Sequence, residues 1–155
     1  MSKKILVTGA NGFLGSAITK LALKKGFNVK VFDKYNSDNK WGWLDHSKIK
    51  NELEVELGDI RDFDSIHDAV KSSEVIFHVA ADYRLWARKK SEIYSSNVFG
   101  TENIALKVLE LNKKLIYTSS VATLSLKKDQ LSDETFEPTL KEIQGDYKNQ
   151  SFLLN

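Results

Sequence analysis

Residues 4–16 read Lys-Ile-Leu-Val-Thr-Gly-Ala-Asn-Gly-Phe-Leu-Gly-Ser, a short apolar run followed by three glycines at every third position. The apolar run predicts a strand over Lys4 to Thr8. Apolar residues then recur at 17, 18, 21 and 22, which predicts a helix over Ser16 to Lys25 that Gly26 closes as a C-cap. A strand, a glycine turn and a helix in this order form the first unit of an α/β fold.

The same alternation continues along the chain. Further strands are predicted at Val29–Phe32, Leu53–Leu57, Val75–Ala81 and Lys114–Thr118, and further helices at Asp64–Ser72 and Ser91–Leu111. The apolar run at 75–81 is typical of a central strand covered on both faces. We therefore predict a doubly wound, Rossmann-type parallel sheet with helices on both faces. Ligands of such sheets bind at the carboxyl ends of the strands.

Composition excludes several classes of protein. With 155 residues, 41% of them hydrophobic, the chain has room for one domain with one sizeable core. The absence of Cys excludes disulfides, thiolate zinc sites and cysteine nucleophiles. No second His or acid stands at ligand spacing from His78, so no metal site is predicted, and we expect this His to pack inside its strand.

Charge and hydropathy indicate neither a nucleic-acid nor a membrane protein. The net charge is +2, from 23 basic and 21 acidic residues, and Lys-Lys pairs are spread along the chain rather than concentrated on one face. No apolar stretch is long enough to span a bilayer. Because residues 1–4 run straight into a strand, no signal peptide is predicted, and we expect a cytoplasmic protein.

The glycine loop has the residue types that a dinucleotide needs. Gly9 can turn sharply off the strand, Gly12 lets the main chain approach a pyrophosphate, and Gly15 lets the helix pack closely on the strand. The helix N-terminus then directs amide hydrogens at the phosphates. Ser16 stands where a Walker loop would have Lys, and a purely structural turn is the alternative. The other predicted coenzyme contacts of this loop are Asn11, Phe13 and Leu14.

Asp33 ends the second predicted strand, where an acid can accept hydrogen bonds from both hydroxyls of an adenosine ribose. Its charge would repel a 2′-phosphate, which favours NAD over NADP. Lys34 is adjacent and would weaken that repulsion, so it is also a candidate contact. The alternative for Asp33 is a solvated acid at a strand end.

Later strand ends supply further candidate contacts. Asp59 could bond the adenine amino group while Ile60 covers a ring face, although a plain turn is the alternative. The small residues Val79, Ala80 and Ala81 leave room for a dinucleotide over the sheet.

The long predicted helix has one inward face. Asn97, Thr101, Ile104, Val108 and Leu111 follow helical spacing and must bury against the sheet. Asn97 is therefore a buried polar side chain that needs hydrogen-bond partners. A structural role and direct coenzyme contact both remain open for it.

Together these pieces resemble the extended short-chain dehydrogenase/reductase family, the NAD-dependent sugar epimerases and dehydratases. The matching segments are residues 8–15, Asp33, Asp59–Ile60, 78–81, 97–101 and 117–120. Residues 35–46 are similar to nucleotide-sugar 4,6-dehydratases of the aminosugar type. Residues 78–124 are similar to hopanoid-associated sugar epimerases.

The resemblance implies a catalytic pair, Ser120 and Tyr147. The Tyr would be the general acid/base, whose phenolate takes the hydroxyl proton as hydride leaves for nicotinamide, and Ser120 would hold that hydroxyl. Dehydratases add an Asp-Glu pair where this chain has Val121-Ala122, which argues against dehydration. The family's Lys, four residues after the Tyr, is replaced here by Ser151, which lacks the charge that favours the phenolate.

Relatives in this family are longer. The resemblance therefore implies that residues 1–155 are an NAD(P)-binding Rossmann domain without the C-terminal substrate domain. The implied function is an epimerase/dehydratase-type oxidoreductase that acts on a nucleotide sugar or similar alcohol. The alternative is a catalytically inactive NAD-binding fragment or binding module. Relatives also pair through the helix at 91–111, which implies a possible homodimer.

Overall fold

Five parallel strands form one sheet in the computed structural model, which describes residues 3–35, 40–84, 86–120, 124, 133 and 135. The strands are β1 (Lys4–Thr8), β2 (Asn28–Asp33), β3 (Glu54–Leu57), β4 (Val75–His78) and β5 (Lys114–Tyr117). Their order is β3-β2-β1-β4-β5, and every neighbouring pair is parallel. The predicted doubly wound fold is confirmed, and its strand order reverses between β1 and β4.

Helices follow most strands. They are α1 (Phe13–Lys24), α2 (His67–Lys71), α3 (Lys90–Tyr94) and α4 (Gly100–Glu110), with 3₁₀ turns at Gly42–Leu44 and Lys48–Glu52. A π-helical turn at Ser95–Phe99 joins α3 to α4, so the predicted long helix contains one wider turn. The helix predicted over Asp64–Ser72 is shorter, because turns occupy the residues before α2. In the part of the chain that the structure describes, no helix is long and apolar enough to cross a membrane.

Two apolar clusters lie on opposite faces of the sheet, because successive side chains of a strand alternate. Ile5 and Val7 of β1 pack with Ala22 of α1 on one face. Leu6 packs with Ile104 of α4 on the other face. The prediction that helices cover both faces is therefore confirmed. The inward face predicted for the long helix is also correct, since residues 97, 101, 104 and 108 are all buried.

The prediction that β4 extends to Ala81 is wrong, because the strand ends at His78. The physical reason lies in β1. The amides of Val79 and Ala80 both lie 3.3 Å from the hydroxyl oxygen of Thr8 and donate to it instead of to a neighbouring strand. The chain therefore leaves the sheet beside the glycine loop.

A buried cation ties the edge strand β3 to β2. Lys30 Nζ lies 2.9 Å from Glu54 and 2.8 Å from Glu56, and the lysine is only 6% exposed. Lys4 of β1 bonds the same Glu54 at 2.6 Å. Paired charges offset the cost of burying the ammonium, and they fix the register of three neighbouring strands.

Candidate functional site

The glycine loop makes the turn that its sequence predicts. Gly9 has φ +70°, and a Cβ there would lie 2.7 Å from the Cα of Ala80. A Cβ on Gly15 would collide with the carbonyl oxygen of Gly9. The amide of Gly12 donates to that same carbonyl at 3.1 Å. The loop is therefore bare main chain, held tightly between β1, the segment after β4 and α1.

The N-terminus of α1 lies at the end of this loop. Gly12 is its N-cap, and neither a side-chain cap nor an acidic residue in the first turn offsets its positive end. Phe13 and Leu14 are 72% and 44% exposed. A terminus of this kind attracts a phosphate group through its amides and its dipole.

Asp33 lies beside the glycine loop. The main-chain amides of Asn11 and Lys34 favour the charged form of its carboxyl and act to lower its pKa. Burial nevertheless raises the pKa of Asp33 to about 6 from its ordinary 3.8, because the anion is poorly solvated. A half-buried carboxylate with spare lone pairs fits the hydroxyl donors of a ribose, so the residues present fit an adenine dinucleotide.

Asp59 has protein partners of its own. Both of its oxygens accept from Arg61 Nε, at 2.9 and 3.1 Å, and Lys34 Nζ lies 3.6 Å away. The Arg61 guanidinium lowers the pKa of Asp59 to about 2. This residue is therefore a firmly charged acid in an ion-pair network, which sequence reasoning did not predict.

Ile60 is fixed against the long helix. Its carbonyl accepts from Asn103 Nδ2 at 3.0 Å, and its side chain fills the space where a Cβ on Gly100 would stand. The position of this apolar side chain at the carboxyl end of β3 is thus set by α4.

A buried hydrogen-bond chain joins β1, β4 and α4. Thr8 Oγ1 lies 2.7 Å from His78 Nδ1, and His78 Nε2 lies 2.9 Å from Thr101 Oγ1. Thr8 Oγ1 accepts hydrogen bonds from the amides of Val79 and Ala80, so its own O–H donates to His78 Nδ1. The proton of the neutral ring is then on Nε2, which donates to Thr101 Oγ1. Burial lowers the pKa of His78 to about 4, so the imidazole is neutral. The expectation that His78 packs inside its strand is confirmed.

The buried side chain of Asn97 forms hydrogen bonds with the main chain of Asp82. Its Oδ1 accepts from the Asp82 amide at 2.6 Å, and its Nδ2 donates to the Asp82 carbonyl at 2.8 Å. This bidentate contact holds the segment after Ala81, near the carboxyl end of β4. The structural role left open for Asn97 is present, and its coenzyme contact stays a prediction.

Sequence reasoning missed the segment that packs on the glycine loop. The amide of Trp43 donates to the Asn11 carbonyl at 3.0 Å, and a Cβ on Gly42, whose φ is +52°, would collide with that oxygen. The Trp43 ring meets Phe13 edge to face, with centroids 5.1 Å apart, while Leu44 is fully buried. The sequence shows two tryptophans within residues 41–45, but it does not reveal that this segment contacts the glycine loop.

The predicted catalytic pair is only partly within the described residues. Ser120 follows β5, whose carboxyl end lies at the same edge of the sheet as the glycine loop. Tyr147 and Ser151 lie outside the described residues. Among residues 3–35, 40–84 and 86–120, no cluster of three His or acidic side chains could hold a metal ion.

Comparison with known proteins identifies the family. The model of the 3-beta hydroxysteroid dehydrogenase/isomerase family matches residues 6–150. The chain belongs to this family. Its place in the extended short-chain dehydrogenase/reductase group confirms the resemblance drawn from the motifs.

Proteins with similar sequences include reductases and enzymes that modify sugars. A putative dihydroflavonol 4-reductase from Synechocystis is 31% identical over 98% of the chain, which covers 43% of that protein. A UDP-N-acetyl-alpha-D-glucosaminuronate decarboxylase from Bacillus cytotoxicus is 31% identical over 77% of the chain, equal to 37% of that protein. The chain thus spans less than half the length of these relatives.

Solved structures share the fold. The crystal structure of gox2253 has a TM-score of 0.84 and 36% identity over 99% of the chain, which covers 45% of that protein. The Thermus thermophilus UDP-glucose 4-epimerase, solved with NAD, has a TM-score of 0.78 and 21% identity over 97% of the chain, or 48% of the epimerase. At that identity the epimerase supports the fold alone.

Proposed function

We propose that this chain is the NAD-binding part of an oxidoreductase. The observation that carries the proposal is the position of Asp33 at the end of β2, where the Asn11 amide of the phosphate-binding loop favours its carboxylate and where a ribose would lie. The uncapped N-terminus of α1 would hold the pyrophosphate at Gly12 and the two residues that follow it. When bound, the nicotinamide would accept or supply a hydride.

Several residues would shape the rest of the coenzyme site. Ile60 would cover the adenine, and residues 79–81 would leave space beyond the paired carboxyl ends of β1 and β4. Asp33 is expected to favour NAD over NADP, because its charge opposes a 2′-phosphate. The neutral His78 would keep the ends of β1 and β4 aligned beneath the dinucleotide.

The proposed substrate is a nucleotide sugar or a similar alcohol. Supporting this, the relatives include a UDP-sugar decarboxylase. Val121-Ala122, in place of the acidic pair of dehydratases, argues against dehydration of that substrate. Ser120 would hold the reacting hydroxyl, and Tyr147 would act as its acid/base. Because a putative reductase is among the relatives, the main alternative substrate is a small molecule that contains a carbonyl group.

Calorimetric titration tests the coenzyme proposal directly. The 155-residue protein should bind NAD, and more weakly NADP, with one site per chain. Failure to bind NAD at millimolar concentration would overturn it.

A second function, an NAD-binding module without turnover, is favoured by Ser151 at the position of the family's Lys. Without a nearby ammonium, a Tyr hydroxyl is only about 0.1% ionised at neutral pH. The discriminating assay follows NADH formation with UDP-glucose and related sugars. Robust formation of NADH would exclude this second function.

Homodimerisation through residues 91–111 is a further part of the proposal. Exposed apolar side chains along this helix support it: Tyr94, Phe99, Leu106 and Leu109. We expect light scattering after size exclusion to give twice the 17.6 kDa chain mass. Replacement of Leu109, which is 78% exposed, by Glu should yield a monomer.

A further inference from the structure

Two cations lie next to the proposed adenosine-ribose site, and both are held by one acid. Lys34 follows Asp33 directly, and Arg61 comes two residues after Asp59. The Asp59 carboxylate accepts from Arg61 Nε at 2.9 and 3.1 Å and lies 3.6 Å from Lys34 Nζ. Asp59 therefore links the ends of β2 and β3 through charge.

The main chain brings these groups together. Asp33 pairs with Leu57 in the sheet, and the Gly58 amide donates to the Asp33 carbonyl at 3.0 Å. The side chain of Lys34 is 70% exposed, whereas that of Asp59 is 29% exposed. Lys34 could therefore turn toward a ligand anion beside Asp33 if Asp59 did not attract it.

We infer that Asp59 is a specificity-determining residue that engages Lys34 and Arg61 and so disfavours a dinucleotide with a 2′-phosphate. This inference rests on the proposed function. Cations beside a ribose-binding acid can accept a 2′-phosphate, as Arg does in NADP enzymes. Here the Asp59 carboxylate neutralises the charges of Lys34 and Arg61. A 2′-phosphate would therefore be repelled by Asp33 and Asp59, and neither cation would be free to pair with it.

The test compares the affinities of NAD and NADP for the intact chain and an isosteric variant. Asp59→Asn keeps one oxygen that can accept from Arg61 or from an adenine amino group, but removes the charge. We expect NADP affinity to rise about five- to tenfold while NAD affinity changes less than about twofold. The gain should shrink as salt is raised from about 0.05 to 0.5 M, since exposed charges are screened.

Three further variants separate this role from general charge or structural effects. Asp62→Asn is the matched control, because its carboxylate accepts only the Asp64 amide among the contacts seen and should leave the NADP/NAD ratio unchanged. Adding Lys34→Gln to Asp59→Asn should remove the gain. Arg61→Gln leaves Asp59 less compensated, so the ratio should fall by about threefold or more.

The possible outcomes separate the inference from the proposed function. An NADP/NAD ratio unchanged in both Asp59→Asn and Arg61→Gln, or raised equally by Asp62→Asn, would overturn the inference alone. Equal losses of NAD and NADP affinity in Asp59→Asn would instead show that the charge of Asp59 supports the binding of both dinucleotides, and would also overturn the inference. If the unaltered chain binds NAD and NADP equally well, the chain still binds NAD, but this inference fails. If it binds no dinucleotide, the proposed function fails and this inference fails with it.

Discussion

The main-chain amide of Asn11, in the glycine loop, favours the charged form of the Asp33 carboxyl at the end of β2 and so acts to lower its pKa. The acid is nevertheless poorly solvated, and burial raises its pKa to about 6. Asp33 is thus an anion that the ligand-free fold stabilises poorly, and groups with pKa values perturbed in this way are concentrated at functional sites. The next two predictions follow from this conflict.

Replacement of Asp33 by Asn should stabilise the ligand-free protein and weaken its binding of NAD. Because the folded pKa exceeds the ordinary 3.8, the charged form costs stability at pH 7, by about 1 to 3 kcal/mol. Urea unfolding at pH 7 should show that gain, and calorimetry should show a loss of NAD affinity of tenfold or so. Asp64 is an exposed acid, so the control variant Asp64→Asn should change neither stability nor NAD affinity. A loss of stability in Asp33→Asn would contradict the prediction.

The pH dependence of stability should contain two opposing parts. His78 has a folded pKa of about 4 against an ordinary 6.5, so its contribution is complete above pH 6.5 and is lost as pH falls toward 4. Asp33 has the opposite sign, because it binds a proton more readily when folded, and stability rises as pH falls through 6. The two should partly cancel between pH 6 and 4.

Asp33→Asn separates these contributions. The variant should lose stability more steeply than the unaltered chain between pH 6 and 4, since only the His78 part remains of the two. Chemical unfolding at half-unit pH steps gives the two curves. Parallel curves over this range would show that Asp33 titrates normally in the folded protein.

The layout of the sheet could be predicted from sequence, because its signals are local. The apolar run before Gly9 and the helical stripe after Gly15 lie close together in the chain. β1 forms over the predicted residues, and α1 begins three residues earlier than predicted, at Phe13. The inward position of Asn97 also follows from spacing alone. The early end of β4 could not be predicted in this way, because it depends on the hydroxyl of Thr8, which is remote in sequence.

The buried lysines were also beyond sequence reasoning. Lysines are ordinarily exposed, yet Lys30 and Lys107 are 6% and 4% exposed. Lys30 is neutralised from another strand, and Lys107 lies over the Phe63 ring at 3.7 Å. Such partners are brought together only by the fold, so pattern and spacing do not reveal them.

The buried cation Lys30 should contribute more to the free energy of unfolding than its partly exposed neighbour Lys4. Lys30→Met leaves Glu56 and Glu54 without their shared partner, and we expect a loss of about 1 to 3 kcal/mol in the free energy of unfolding. Lys4→Met breaks a partly exposed pair and should cost less than about 1 kcal/mol. Guanidinium is unsuitable for this measurement because it screens charge, so urea is the denaturant. Equal losses would mean that burial adds nothing to the network.

Gly42 should be needed for the shape of the glycine loop, although it lies in another segment. Ala there must adopt φ near +52° and place its Cβ against the Asn11 carbonyl, which accepts from the Trp43 amide. Gly26 offers the matched control, since its φ is +81° but nothing lies within 4 Å of an added Cβ. Both Ala variants should lose about 1 kcal/mol through backbone strain.

Only Gly42→Ala should also disturb the coenzyme site. Displacing Asn11 shifts the glycine loop and the amide that favours the Asp33 carboxylate, so NAD affinity should fall about five- to tenfold, against less than twofold for Gly26→Ala. Calorimetry on both variants, at temperatures where each is folded by circular dichroism, supplies the comparison. If the two variants bind NAD equally well, the 3₁₀ turn at Gly42–Leu44 covers the loop without shaping it, and the loop geometry is set by β1 and α1 alone.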